Sequence, residues 1–248
     1  MAVDRALWTE KFTDQLPHWP CPTCNKGHLA PMQDKYWIEE TGPSLAEHGH
    51  DAWDPDWIQN RFTCFLQCSL PACGEVAVVA GSSGIDYYQI DWDEYKTSEI
   101  FNVRAIVPAP EPISIPDNTP RPIVDAIRRA SALIWMSAES AANQIRQAVE
   151  YLLDDAGIPR TGSNGKPIHL HQRITQFQAT DEENGNVLLA TKWLGNVGSH
   201  GEGLARDDVL DAFDMIEFVL ENRYATTKAS LMAKVAAVIA AKGPAAKP

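Results

Sequence analysis

No run of apolar residues in this 248-residue chain approaches the roughly 20 needed to span a bilayer. The opening, MAVDRALWTEKF, lacks the apolar core of a signal peptide. Both absences point to a cytoplasmic protein with no membrane partner. Positive charge is scarce as well: 21 Lys and Arg face 33 Asp and Glu, for a net charge of −12. The deficit sits almost wholly in residues 1–120, where 7 basic residues meet 18 acidic ones. Residues 121–248 are close to balance, with 14 against 15. This argues against a dedicated DNA binder driven by electrostatics, and places any polyanion contact in the second half. Cysteine is rare, and all five residues fall within the first 73. No internal repeat is visible.

What is present divides into two parts of different character, predicting an α+β fold. Residues 1–107 read as a β-rich unit, with strands at Lys35–Glu39, Arg61–Gln67, Glu75–Ala80 and Tyr87–Trp92. Ser44–Asp56 reads as an acidic loop. Prolines 108, 110, 112, 116 and 120 mark residues 108–119 as an extended, poorly paired connector. Residues 120–242 show helical periodicity. The expected helices run from Pro122 to Met136, Ser137 to Ala156 and Leu170 to Gln178. A further helix is capped at Thr180-x-x-Glu183 and ends in the Gly195–His200 run. A fifth carries Val209, Phe213, Ile216 and Leu220, and a last amphipathic one carries Leu231, Met232, Val235, Val238 and Ile239. Short connections favour an antiparallel bundle. Residues 243–248 read as a disordered tail.

Cys21-Pro-Thr-Cys24 and Cys68-Ser-Leu-Pro-Ala-Cys73-Gly74 form two pairs. Zn²⁺ takes four soft ligands in a tetrahedron, and two tight turns can each present two thiolates. In a cytosolic chain clustered cysteines are more often metal ligands than disulfides. A closed four-thiolate site would be structural, because it leaves no open coordination position. Cys64 is expected to be a buried core thiol, and His48 and His50 solvated loop residues.

The second candidate is Lys192-Trp-Leu-Gly195-Asn196-Val-Gly-Ser-His200. Asn196 and His200 stand four apart, on one face of a helix. His200 titrates near neutrality and could serve as general acid or base on a phosphodiester. Arg146 or Lys192 could hold the phosphate. The same residues could equally finish a helix, with Arg146 paired to Glu150 one turn on. His169 and His171 suit the first turn of the short helix.

The segments Ser-Ala-Ala-Asn-Gln-Ile-Arg146-Gln-Ala-Val-Glu150, Leu170-His-Gln-Arg-Ile and Gly195-Asn196-x-x-x-His200 resemble the domain-of-unknown-function 4145 family, over about residues 120–224. That family lies in the HEPN superfamily of helical nucleotide-binding domains. The cysteine pairs resemble the zinc-ribbon-like segment that often precedes such domains. The resemblance implies a dimerising bundle and, in many members, a metal-independent ribonuclease whose motif is Arg, a polar residue and His. Asn196 and His200 match it, but the Arg position is Gly195. Lys192 is a conservative departure at an earlier position where the family often has Arg.

Three roles follow. The first is a binding or regulatory homodimer engaging RNA, a nucleotide or a protein partner, in a setting such as phage defence or a toxin–antitoxin pair. The second is a metal-independent endoribonuclease using His200, Asn196 and Lys192 or Arg146. The third is a scaffold subunit of a larger nuclease or restriction complex.

Overall fold

The computed structural model describes residues 3–92, 94–197 and 203–243, leaving aside the side chains of 88, 196, 197 and 226–231. The protein is α+β: an antiparallel six-stranded sheet is followed by helices. The strands are β1 (Phe12–Thr13), β2 (Trp19–Pro20), β3 (His28–Glu40), β4 (Gln59–Cys68), β5 (Val76–Gln89) and β6 (Tyr95–Val107), in the order β1-β6-β5-β4-β3-β2. Strand β4 alternates strictly: Phe62, Cys64, Leu66 and Cys68 face the core, while Gln59, Arg61, Thr63, Phe65 and Gln67 face out. Period-two side chains on a pleated strand force that division.

Two strands differ from the patterning. Glu75–Ala80 and Tyr87–Trp92 are not separate strands, since β5 runs unbroken through Gly81-Ser82-Ser83-Gly84 to Gln89. Those four residues have poor β-propensity, but hydrogen bonding to β4 on one side and β6 on the other overrides it. Strand β6 escapes the pattern because its first half, Tyr95-Lys-Thr-Ser-Glu99, mixes polar and charged residues. The segment read as an acidic loop holds a short helix, α1 (Gly42–Glu47), and a 3-10 turn at Pro55–Trp57. The Thr41 side chain caps α1 by accepting from the Ser44 N–H at 3.4 Å.

The remaining helices are α2 (Arg121–Leu133), α3 (Ala138–Asp155), α4 (Leu170–Gln178), α5 (Glu182–Val197), α6 (Arg206–Tyr224) and α7 (Thr226–Ala241). Helix α3 buries Ala141, Ala142, Ile145, Ala148, Val149, Leu152 and Leu153, a stripe recurring every three or four residues. Helix α6 buries Val209, Phe213, Ile216 and Leu220 completely. The cap of α5 is Asp181 rather than Thr180. The Asp181 carboxylate accepts from the Asn184 N–H at 3.2 Å, whereas the Thr180 hydroxyl donates back to the Phe177 carbonyl. On α7, Met232, Val235, Val238 and Ile239 are exposed rather than packed.

The connector is poorly paired through its backbone but anchored by side chains. Buried Glu111 accepts from Arg128 Nε of α2 at 2.7 Å, and the Ser114 N–H donates to Glu217 of α6 at 2.8 Å. At its N-terminal end the chain passes across the helices. The Val3 N–H donates to Asp214 at 2.7 Å, and Arg5 pairs with Asp211 and Asp214 at 2.5 and 3.1 Å. Trp135, just after α2, stacks on Trp8 at 5.3 Å and meets the edge of Trp19 at 5.8 Å. The sheet and the helices therefore share one aromatic seam. Such ring pairs contribute about 0.5–1.5 kcal/mol beyond the burial of their area.

Candidate metal centre and the contact between α3 and α5

The first cysteine pair lies in the turn joining β2 to β3; of the second, Cys68 ends β4 and Cys73 lies in the turn joining β4 to β5. Pairing of β3 with β4 sets Leu29 opposite Cys68, which brings the two turns side by side. In the first, the Asn25 N–H donates to the Cys21 carbonyl at 3.0 Å, and Asn25 adopts a φ of 50° to reverse the chain. In the second, the N–H groups of Cys73 and Gly74 both donate to the Leu70 carbonyl, at 3.0 and 3.1 Å. Ser69 N–H to the His28 carbonyl, at 2.8 Å, ties this turn to β3. Gly27 is dictated by proximity: a Cβ there would lie 2.6 Å from the Cys68 sulfur.

The four sulfurs of Cys21, Cys24, Cys68 and Cys73 lie within 4.8 Å of one another. Cys21–Cys73 and Cys24–Cys68 are each separated by 3.8 Å. A tetrahedron with Zn–S bonds of about 2.3 Å has edges of about 3.8 Å. Two of the sulfur pairs match that edge and the whole set is close enough to hold a metal ion, and all five cysteines of the chain are free of disulfides. Backbone donors already point at the sulfurs, from Gly27 to Cys24 at 3.4 Å and from Leu70 to Cys68 at 3.5 Å. The Gly27 and Lys26 N–H groups hold the Cys24 thiol down at about 6. At Cys68 the Leu70 N–H lowers the thiol, but burial and the three neighbouring sulfurs outweigh it and push the thiol up to about 12. Four thiols this close cannot all ionise unless a cation joins them.

Cys64 lies apart from the four. It is fully buried on β4, and burial raises its thiol. The two loop histidines are engaged locally: His48 contacts Glu40 at 2.8 Å and the Trp53 ring, and His50 accepts from the Ala52 N–H at 3.1 Å. His169 precedes α4 as its cap residue, and His171 faces Trp193 at 6.2 Å.

In the helical half, Gly195 and Arg146 are brought together. A Cβ on Gly195 would lie 3.6 Å from both the Ala142 carbonyl oxygen and Arg146 Cβ, an ordinary van der Waals distance. Helix α5 thus rests on α3 next to the stem of Arg146. Arg146 Nε is buried with no hydrogen-bond partner among the described residues. The expected pairing of Arg146 with Glu150 does not form; Glu150 pairs instead with Arg160 at 3.3 Å. Lys192 is 9% exposed, and its Nζ sits 3.7 Å from the centre of the Trp193 ring. Asn196 lies in the last turn of α5, and His200 falls outside the described residues.

Sequence reasoning missed the role of Arg173. This residue is 2% exposed on α4. It pairs with Asp154 at 2.7 Å and donates to the carbonyls of Ile158 and Pro159 at 2.8 and 3.2 Å. The loop after α3 is organised around it. Arg160 reaches the same carboxylate at 2.6 Å. Burial works to raise Asp154, but hydrogen bonds from Arg160 and Arg173 outweigh it and hold the carboxyl below its usual range. A buried Arg with a leucine and isoleucine nearby carries no periodic signal to give it away.

The protein is thus an α+β chain with a four-cysteine cluster on its sheet and a separate helical half. The helical half matches the family model described as Domain of unknown function (DUF4145), over residues 128–242. The sheet matches the one described as Domain of unknown function (DUF8608), over residues 10–103. No curated protein and no solved structure matches the chain.

Proposed function

We propose that this protein is a cytoplasmic binding module built from a zinc-ribbon-like head and a HEPN-like helical bundle. The bundle pairs with a second copy and engages RNA, a nucleotide or a protein partner. Bacterial conflict systems such as phage defence or toxin–antitoxin pairs are its setting. Cys21, Cys24, Cys68 and Cys73 would hold Zn²⁺, whose tetrahedral edge two of their sulfur pairs match. The ion would supply cross-linking rather than chemistry, since four thiolates close its coordination.

One observation favours holding a ligand over cutting it. The residue best placed to replace the motif's missing Arg, Lys192, has its ammonium on the Trp193 ring, and most of its side chain is buried. A cation held at 3.7 Å over an aromatic face is already stabilised there, and is poorly free to follow charge developing on a phosphorane. Arg146 supplies a cation with an unpartnered Nε beside Gly195, suited to anchoring an anion.

The test is incubation of purified protein with mixed RNA in EDTA, beside His200→Ala. The expected result is intact RNA with both proteins. Cleavage by the wild type that requires His200 and leaves cyclic phosphate ends would establish the alternative, a metal-independent endoribonuclease using His200, Asn196 and Lys192 or Arg146. Recovery only inside a larger nuclease or restriction assembly would identify a scaffold subunit.

A further inference from the structure

The outer face of the sheet carries a groove of about 790 Å³ across β4, β5 and β6. Its floor is made of small residues, Gly81 to Gly84, so backbone lies close to the surface there. Lys11, Arg61 and Arg104 line it. These are three of only seven basic residues in the first 120. All three side chains are exposed, and none forms an ion pair among the described residues. By contrast, Arg5, Arg128, Arg160 and Arg173 are each paired with carboxylates.

The same face continues into exposed aromatic rings. Strand register sets Trp37 opposite Thr63, and Thr63 faces out beside Arg61 and Phe65 on β4. Trp37 is 65% exposed and Phe65 42%. The Trp37 indole is held by its N–H donating to Glu39 at 3.1 Å, and Lys35 reaches over the Phe65 ring at 6.0 Å. Exposed rings on an open sheet beside cations that form no ion pair suit one chemistry well. Bases stack on the rings, and phosphates follow the cations.

We infer that this outer face of the sheet binds a single-stranded polynucleotide. The inference rests on the RNA-binding role proposed above and moves the contact from the helices to the head. The head's negative charge opposes it at long range, and Asp86 lines the groove while Glu39 flanks Arg61. Other acids of the head, at 47–56 and at Asp91 and Glu94, lie at the end of the sheet that Ile58 and Gln59 of the groove also approach, and they oppose binding there as well. At physiological salt the field of a charge decays over about 8 Å, so the three cations of the groove contend with the carboxylates beside them and not with the more distant acids of the head.

The experiment is fluorescence anisotropy of a labelled mixed-sequence 15-mer RNA with the full chain, from 50 to 300 mM salt. A DNA strand of the same sequence and a duplex run alongside. Wild type is expected to bind both single strands more tightly than the duplex. Arg61→Gln with Arg104→Gln should weaken binding and lower the log–log salt slope by about 1.4, two single-strand phosphate contacts. Trp37→Ala should weaken binding about 10-fold at every salt concentration, the loss of one stacked base. All three positions are exposed, and unchanged circular dichroism and metal content verify folding. Failure of the wild type to bind at 50 mM salt overturns the inference, as does a duplex bound as tightly as the single strands. So does binding that ignores all three substitutions; if such binding falls in Arg146→Gln, RNA sits on the helices and the proposed function survives without this face.

Discussion

The cysteine cluster and the contact between α3 and α5 were both visible as motifs, yet they are built in opposite ways. In the head, two short turns each hold two sulfurs through their own backbone hydrogen bonds, and one strand pairing brings the turns together. Nearly everything the site needs is local. At the helical contact, Gly195 and Arg146 lie 49 positions apart and meet only because α5 packs on α3. A local site tolerates changes elsewhere in the fold but fails when one ligand is lost. A packed site degrades gradually, because many apolar contacts share the work of placing it.

The largest expected effect breaks that contrast at the head. Cys21→Ser or Cys73→Ser should reduce bound zinc from one ion per chain to near zero, read by atomic spectroscopy, with loss of the sheet's cooperative melting. Structural zinc sites contribute on the order of 10 kcal/mol to folding, so the helices should keep their circular dichroism while the head loosens. Full metal retention in both variants would exclude these ligands.

Next in size is Arg173→Ala, the helical half's nearest equivalent to a single keystone. Its loss strands the Ile158 and Pro159 carbonyls and leaves Asp154 to Arg160 alone, at a cost of about 3 kcal/mol. Urea denaturation followed by helical signal measures it, and a change under about 0.5 kcal/mol would show that the loop finds other partners.

The same pair makes a pH prediction. Asp154 is held below its unfolded value near 3.9. Its contribution to stability is therefore complete above about pH 4 and is lost as pH falls through the lower, folded value. The stability gap between wild type and Asp154→Asn should be constant at neutral pH and close below pH 4. A gap that widens on acidification would reverse the sign.

The smallest effects sharpen the comparison within α5. Gly195→Ala adds a methyl at ordinary contact distance and removes a flexible residue from a helix, and should stabilise by about 0.5–1 kcal/mol. Gly185→Ala places its Cβ 2.3 Å from Gln178 Cγ and 2.9 Å from that residue's Cα, and should destabilise by about 1–3 kcal/mol. Thermal midpoints of the two variants should move in opposite directions; equal shifts would mean that α5 does not rest on α3 through Gly195.

Helix α4 was legible to the residue, and the apolar stripes of α3 and α6 were nearly so, because a 3.6-residue period survives in the sequence when one face is buried. The continuity of β5 through Gly81–Gly84 was not, since its pairing with two neighbours decides the matter and its own residues argue the other way. Nor was the cap at Asp181, where two acceptors stand side by side and only geometry chooses. The anchoring of the connector was equally hidden: proline predicts an extended backbone, not that Glu111 and Ser114 will find Arg128 and Glu217.

The sequence by itself determined the division into a cysteine-bearing sheet and a helical half, and named the four cysteines, because turn chemistry and periodicity act over a few residues. Only the tertiary structure decided that the four sulfurs lie within 4.8 Å of one another, that Arg146 lies beside Gly195, and that three cations without ion pairs collect on one sheet face. Each of those depends on which strands and helices become neighbours. That choice is made by burial summed over the whole chain, and no short stretch of residues contains it.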